Sequence, residues 1–188
     1  MTRLTPTASQ TVGPFYAYGL IREDDAIIAA DGAGGERICL CGFLKDGAGK
    51  PVRDALIEVW QADAQGRYPG RDAEVDPKVR GFGRTLTDAN GAFRFETVVP
   101  GASAGAGNAA QAPHFAVGVF AAGLTRRAVT RIYVPGTDEL AADSVLASLA
   151  APARASLIAA RGQTPDGAAA LTIELYLGTG AATPVFAD

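Results

Sequence analysis

The chain holds a single histidine, His114, in the run Ala112-Pro113-His114-Phe115-Ala116. That count alone removes several chemistries. A His-Glu zinc motif and a two-histidine facial triad each need more imidazoles than the sequence contains. A Ser-His-Asp triad would need His114 as its base, and no serine is expected in a nucleophile elbow. A lone histidine on an apolar strand is expected to be a satisfied core or interface residue. Cys39 and Cys41 sit two apart, so in a strand they share a face with Cα atoms roughly 6.6 Å apart. Parallel side chains make poor disulfide geometry. The pair therefore reads as two buried, reduced thiols, with no further soft ligands nearby for a metal. Asp72, Glu74 and Asp76 are spaced by two along a loop, which reads as a solvated edge rather than an acid/base pair. Arg126 and Arg127 could form a small anion site, or be one exposed and one paired arginine on a strand. Asp31 to Gly35 and Gly101 to Gly107 are glycine-rich but lack the Lys-Ser/Thr ending of a phosphate loop.

The elements that must position these residues are mostly strands. The 188 residues suffice for one domain with a real core. With 17 basic and 20 acidic residues the net charge is −3, and no basic patch points to nucleic acid or an anionic membrane. Charged residues interrupt every apolar run before it reaches spanning length. Met1 to Pro6 has no apolar core like that of a signal peptide, so the cytoplasm is the expected location. Ala55-Leu56-Ile57-Glu58-Val59-Trp60-Gln61 is the clearest strand, with Trp60 expected in the core. Ala92 to Thr97 alternates with period two after the turn residues Asp88-Ala89-Asn90-Gly91. Further strands are expected at Arg37 to Phe43, Arg84 to Thr87, His114 to Ala121, Arg126 to Val134 and Leu171 to Leu177. Residues 62 to 83 form a long polar connection of the kind that tends to be functional. Residues 139 to 161 are Ala- and Leu-rich and read as one or two short helices, with Pro152 at a helix start. The expected fold is an all-β sandwich of mostly antiparallel strands over 36–188. Residues 1–35 are expected to be an N-terminal arm, without a regular element of its own, that packs on a partner chain.

Several segments together resemble one family. Ser9-Gln10-Thr11-Val12-Gly13-Pro14-Phe15 is similar to the start of the intradiol ring-cleaving dioxygenases, where Thr-x-Gly-Pro-aromatic recurs. Pro51-Val52-Arg53-Asp54-Ala55, continuing through Glu58-Val59-Trp60-Gln61-Ala62-Asp63 to Gly66-Arg67-Tyr68, resembles that family's most recognisable stretch. Gly81-Phe82-Gly83-Arg84-Thr85, Thr87 to Gly91, Val99-Pro100-Gly101, Ala112-Pro113-His114 and Thr130 to Val134 follow in the expected order. The Glu-Val-Trp-Gln-Ala stretch is the specific part of the match.

The resemblance implies a β-sandwich and a ferric iron held by two tyrosines and two histidines. Phenolates are hard anionic donors that suit Fe(III), and imidazoles fill the remaining positions. The sequence departs from that pattern. Where the iron-binding chain has a Gly-Pro-Tyr-Pro-Trp segment, this chain has Gly101-Ala102-Ser103-Ala104-Gly105. Where it has His-x-His, this chain has His114-Phe115-Ala116. Residues 69 to 80 contain no tyrosine. The resemblance therefore implies an α-type chain of a heteromeric member, with Fe(III) on a homologous β partner chain and the active site at the α/β interface. The reaction implied is O2-dependent intradiol cleavage of protocatechuate to 3-carboxy-cis,cis-muconate. No metal ligand and no catalytic residue is assigned to this chain. Thr11, Gly13 and Pro14 are expected to line the substrate cavity, with Phe15 beside them. Related α chains carry an arginine within Phe-Ala-Arg-Gly that can reach the substrate carboxylate. Here the segment reads Phe120-Ala121-Ala122-Gly123, which leaves Arg126 or Arg127 as replacements. Phe15, Tyr16 and Tyr18 are the expected contacts with the partner. The alternative reading is a stand-alone β-sandwich module that binds an aromatic acid without catalysis.

Overall fold

A computed structural model describes residues 6–105, 109–178 and 182–186. Among the described residues ten strands run in chain order: β1 (Arg37–Asp46), β2 (Leu56–Gln61), β3 (Phe82–Leu86), β4 (Ala92–Val98), β5 (Ser103–Ala104), β6 (Ala110–Gln111), β7 (His114–Phe120), β8 (Ala128–Tyr133), β9 (Ala160–Gln163) and β10 (Ala169–Leu177). They form two four-stranded sheets, β4-β1-β10-β9 and β3-β2-β7-β8, plus the small β5-β6 ribbon. Only the β1–β10 pair in these sheets is parallel. The sandwich expected from the strand pattern is therefore the fold.

Period-two alternation decides what the core contains. Ile38, Leu40 and Leu44 from β1, Phe93 and Phe95 from β4, and Leu171, Ile173 and Leu175 from β10 face inward. They meet Ile57 and Val59 from β2, Phe115, Val117 and Val119 from β7, and Ile132 from β8. One polar group crosses the sandwich: Gln61 accepts from Thr97 Oγ1 at 2.5 Å and donates to the Ala62 and Val98 carbonyls. All its polar atoms are thereby satisfied in a place where an unmet group would be costly.

The same parity corrects the reading of Trp60. Ile57, Val59 and Gln61 take the inward side of β2, so Glu58 and Trp60 fall on the outer face. Trp60 is 48% exposed and stacks on Phe82 at 4.5 Å. Cys39 and Cys41 also lie outward on β1; Cys39 is buried and Cys41 half-buried, and both are free thiols. Helices α2 (Ser144–Ala147) and α3 (Ala151–Ala155) occupy the expected 139–161 stretch after a 3₁₀ turn at Asp138–Ala141, with Pro152 in the first turn of α3. The arm is not wholly irregular: Phe15–Leu20 form a short helix, α1, started by Pro14. Residues 1–5 of the arm lie outside the described residues, as do the last residues of the glycine-rich Gly101 to Gly107 segment. No helix among the described residues is long and apolar enough to cross a membrane.

Candidate functional site

Helix α1 lies against the outer face of the sheet β3-β2-β7-β8. Its Tyr16 ring packs on Phe120 at the end of β7, 5.5 Å between centroids. Two spaces flank this stack. The larger is a cleft of about 990 Å³ lined by Gly13, Pro14, Arg53, Leu56, Leu86 and Ala122, among others. The smaller, about 220 Å³, is bordered by Gln10, Thr125, Arg126 and Arg127. The structure therefore divides the residues expected to meet substrate. Gly13 and Pro14 share the larger cleft with Ala122, which stands at the arginine position of Phe-Ala-Arg-Gly. Arg126 and Arg127 stand on the other side of the Tyr16–Phe120 wall.

Each candidate has a local reason for its place. Thr11 Oγ1 accepts from the Gly123 amide at 2.8 Å and donates to the Ala121 carbonyl at 3.3 Å. Phe15 is 80% and Tyr18 86% exposed, with rings 6.5 Å apart, so the outer face of α1 presents two uncovered aromatics. Tyr16, the third expected partner contact, is instead spent on Phe120. Burial and the nearby Glu58 carboxylate raise its phenol above the usual value. Arg127 lies across Gly118 of β7, where an added Cβ would meet its Cδ at 2.8 Å, and its guanidinium is 3.9 Å from Glu58. Arg126 is exposed at the rim. Arg53 pairs with Asp54 at 3.7 Å, and Asp54 adopts a left-handed φ of 57° beside the cleft. Arg53, Leu56 and Phe120 were not singled out from sequence; the outward parity of Leu56 and Phe120 was the available signal.

The remaining chemical candidates are structural. His114 is 4% exposed and its Nδ1 is 2.8 Å from the Ala112 carbonyl. Burial, reinforced by Arg131, pushes its pKa down to about 4, so the ring is neutral at pH 7. Beside it Tyr133 donates to Asp143 at 3.1 Å, and burial pushes that phenol up to about 12. Asp72 accepts from Tyr68 N–H and pairs with Arg71; Asp76 accepts from Gly34 and Lys78 N–H; Glu74 approaches Arg67. These carboxylates brace turns rather than face one another. The 62–83 connection is organised by Asp63, which is fully buried and accepts from the amides of Gln65, Arg67 and Asp76. Contrary to the expectation that no serine stands in an elbow motif, Gly101-Ala102-Ser103-Ala104-Gly105 has the spelling of one. The elbow needs a strand turning into a helix, and here Ser103 lies in the β5-β6 ribbon.

Could these residues hold a ferric ion? Of the family's two-histidine pattern, His114 is buried with one nitrogen engaged, and the next outward position of β7 is Ala116. The adjacent phenol, Tyr133, is held protonated and bonded to Asp143. Among the described residues no three His, Cys, Asp or Glu side chains group as metal ligands. Such a donor set does not fit Fe(III), which needs several hard anionic and imidazole ligands converging on one point.

Comparison with known proteins agrees with the resemblance read from the motifs. A family model described as Dioxygenase matches residues 11–177. The protocatechuate 3,4-dioxygenase alpha chain of Burkholderia cepacia is 42% identical over 180 residues, 88% of each chain. The beta chain from the same organism is 42% identical over 130 residues, covering 66% of this chain and 55% of that one. Among solved structures, the dioxygenase domain of a carbohydrate-binding fusion protein from Streptomyces sp. SirexAA-E superposes with a TM-score of 0.62 at 25% identity, covering 92% of this chain and 98% of that one.

Proposed function

The chain belongs to the intradiol ring-cleavage dioxygenase family, and we propose that it serves there as the α-type, iron-free chain of a protocatechuate 3,4-dioxygenase. One observation carries the reading: the sandwich and the N-terminal arm are kept, while the positions that would hold iron carry Ala116, a buried His114 and no tyrosine. Similarity to alpha chains runs nearly end to end, whereas similarity to the beta chain stops at two thirds of this chain. Ferric iron would then be held by a homologous β chain, where it would supply chelation of the catechol ring and its activation toward O2.

The part left to this chain is to bind and orient. The exposed face of the arm, Gly13, Pro14 and Phe15 with Thr11 behind them, closes the wall of the partner's site and keeps bulk water from it. Phe15 and Tyr18 are uncovered aromatics of the kind found at buried interface centres. The substrate carboxylate falls to the cations on one side of this wall: Arg53 on the larger cleft, or Arg126 and Arg127 on the smaller pocket. A charge-assisted contact of this kind is roughly twice as strong as a neutral one. Both oxygen atoms of O2 enter the product, so the reaction needs no further reductant. The cytoplasm is the proposed compartment.

The test is protocatechuate-dependent oxygen uptake by this chain, by a His-x-His partner chain, and by the two co-expressed. Uptake that needs both chains supports the assignment. A lone chain that remains monomeric beside its partner, and binds an aromatic acid unaided, would favour the stand-alone module instead.

A further inference from the structure

Between Gln10 and Leu20, the hydrogen bonds that tie the arm to the sandwich among the described residues are both made by one side chain, Thr11. Its hydroxyl donates to the Ala121 carbonyl and accepts from the Gly123 amide, so one oxygen closes on the turn that follows β7. Gly123 holds φ +91°, a conformation L side chains rarely adopt, which fixes the direction of the N–H that Thr11 reads. Two and three residues after Thr11 come Gly13 and Pro14, on the larger cleft; three residues after Gly123 comes Arg126, on the smaller pocket. Thr11 is thus the joint between the two flanks of the Tyr16–Phe120 wall. Its single hydroxyl proton is already given to Ala121, so it has none to offer a substrate.

We propose that Thr11 is a positioning residue rather than a substrate contact: it locks the Gly13–Phe15 wall to the Ala121–Gly123 turn and so fixes the opening through which a carboxylated catechol is bound. This inference rests on the α-type reading above. Without the latch the arm keeps its Tyr16–Phe120 packing but loses its register along the turn. Binding of the substrate then carries the cost of re-ordering arm and turn, while the reacting atoms, held by the partner chain, are untouched.

Thr11→Val keeps the shape and removes both bonds; Thr11→Ser keeps the hydroxyl. In the co-expressed complex, Thr11→Val is expected to raise KM for protocatechuate about fivefold with kcat nearly unchanged, the worth of about one net hydrogen bond. Exchange of the Gly123 amide with solvent, followed by NMR or mass spectrometry in the same complex, is expected to accelerate by a similar factor. Thr11→Ser should restore both values. Unchanged Gly123 exchange in Thr11→Val would overturn the latch. Faster exchange with an unchanged KM would overturn its role in positioning. A fall in kcat that Thr11→Ser does not rescue would make Thr11 a direct participant and equally overturn the proposal. An inactive wild-type complex would instead overturn the α-type reading, and that result is visible before any variant is made.

Discussion

Asp143 offers the sharpest test of why the His114 region is scaffold rather than chemistry. Its carboxylate is fully buried. Oδ1 accepts from the amides of Val145 and Leu146, both at 2.9 Å, and from the Tyr133 hydroxyl at 3.1 Å; Oδ2 accepts from Ala112 N–H at 3.0 Å. One side chain therefore caps α2 and pins the residues leading into β7. Replacing it by alanine removes an N-cap, worth about 1 kcal/mol. It also strands a buried Ala112 amide, at about 1–3 kcal/mol. The Tyr133 hydroxyl keeps Arg131 at 3.3 Å, so its loss is smaller, about 1 kcal/mol. The sum is about 4 kcal/mol, which in a chain of this size lowers Tm by about 8–16 °C. Asp143→Asn keeps the Oδ1 bonds but points an amide N–H at Ala112 N–H, and is expected to cost about half as much. Urea denaturation of the wild type and both variants reads these values directly. An alanine variant within about 1 kcal/mol of wild type, or an asparagine variant as damaging as alanine, would refute the reasoning.

Three further outcomes are expected. The pKa of His114 falls from an ordinary 6.5 to about 4 on folding, so the unfolded chain binds the proton first. Its share of stability is intact above pH 6.5 and is lost as pH falls toward 4; between pH 7 and pH 5 the loss is about 2 kcal/mol. Denaturation midpoints should show that slope, and His114→Gln should flatten it. The hydrogen bond from Cys39 lowers the Cys41 thiol to about 7, while the Cys39 thiol is pushed up by the same bond and by burial. Iodoacetamide at pH 7.5 should therefore label half-buried Cys41 and spare Cys39, and Cys39→Ala should slow the labelling of Cys41. Phe15→Ala and Tyr18→Ala should each leave the stability of the lone chain within about 0.5 kcal/mol, because both rings are uncovered. Each should weaken association with the β chain by about 2 kcal/mol or more, roughly thirtyfold by titration calorimetry.

The strands were legible because their signal is local. Phe93, Phe95 and Thr97 alternate with Arg94 and Glu96, and the structure buries them in that order. Trp60 misled because its size outweighed its parity; counting from Ile57 and Val59 would have put it outside. Helix α1 was hidden by Gly13, Pro14 and Gly19, which read as turn residues although Pro14 here starts a helix. Asp63 looked unremarkable because its partners are backbone amides two to thirteen residues away, and no residue type announces those. The site was legible by its motif and not by its layout. Thr11, Gly13 and Pro14 were named only through the family resemblance of the Thr-x-Gly-Pro segment; Gly13 and Pro14 border the larger cleft, whereas Thr11 bonds the turn after β7. That the Tyr16–Phe120 stack separates Gly13 and Pro14 from Arg126 and Arg127 depends on how the arm crosses β7, which is a tertiary fact.

The most direct test of the central claim is the iron content of this chain purified alone and in complex with a His-x-His partner, read by metal analysis together with the visible absorption of ferric phenolate. The expected result is a colourless chain with no stoichiometric iron alone, and one ferric ion per pair of chains in a coloured complex. Stoichiometric iron with that absorption in the lone chain would contradict it, since Ala116, buried His114 and protonated Tyr133 leave no donor set to hold the ion.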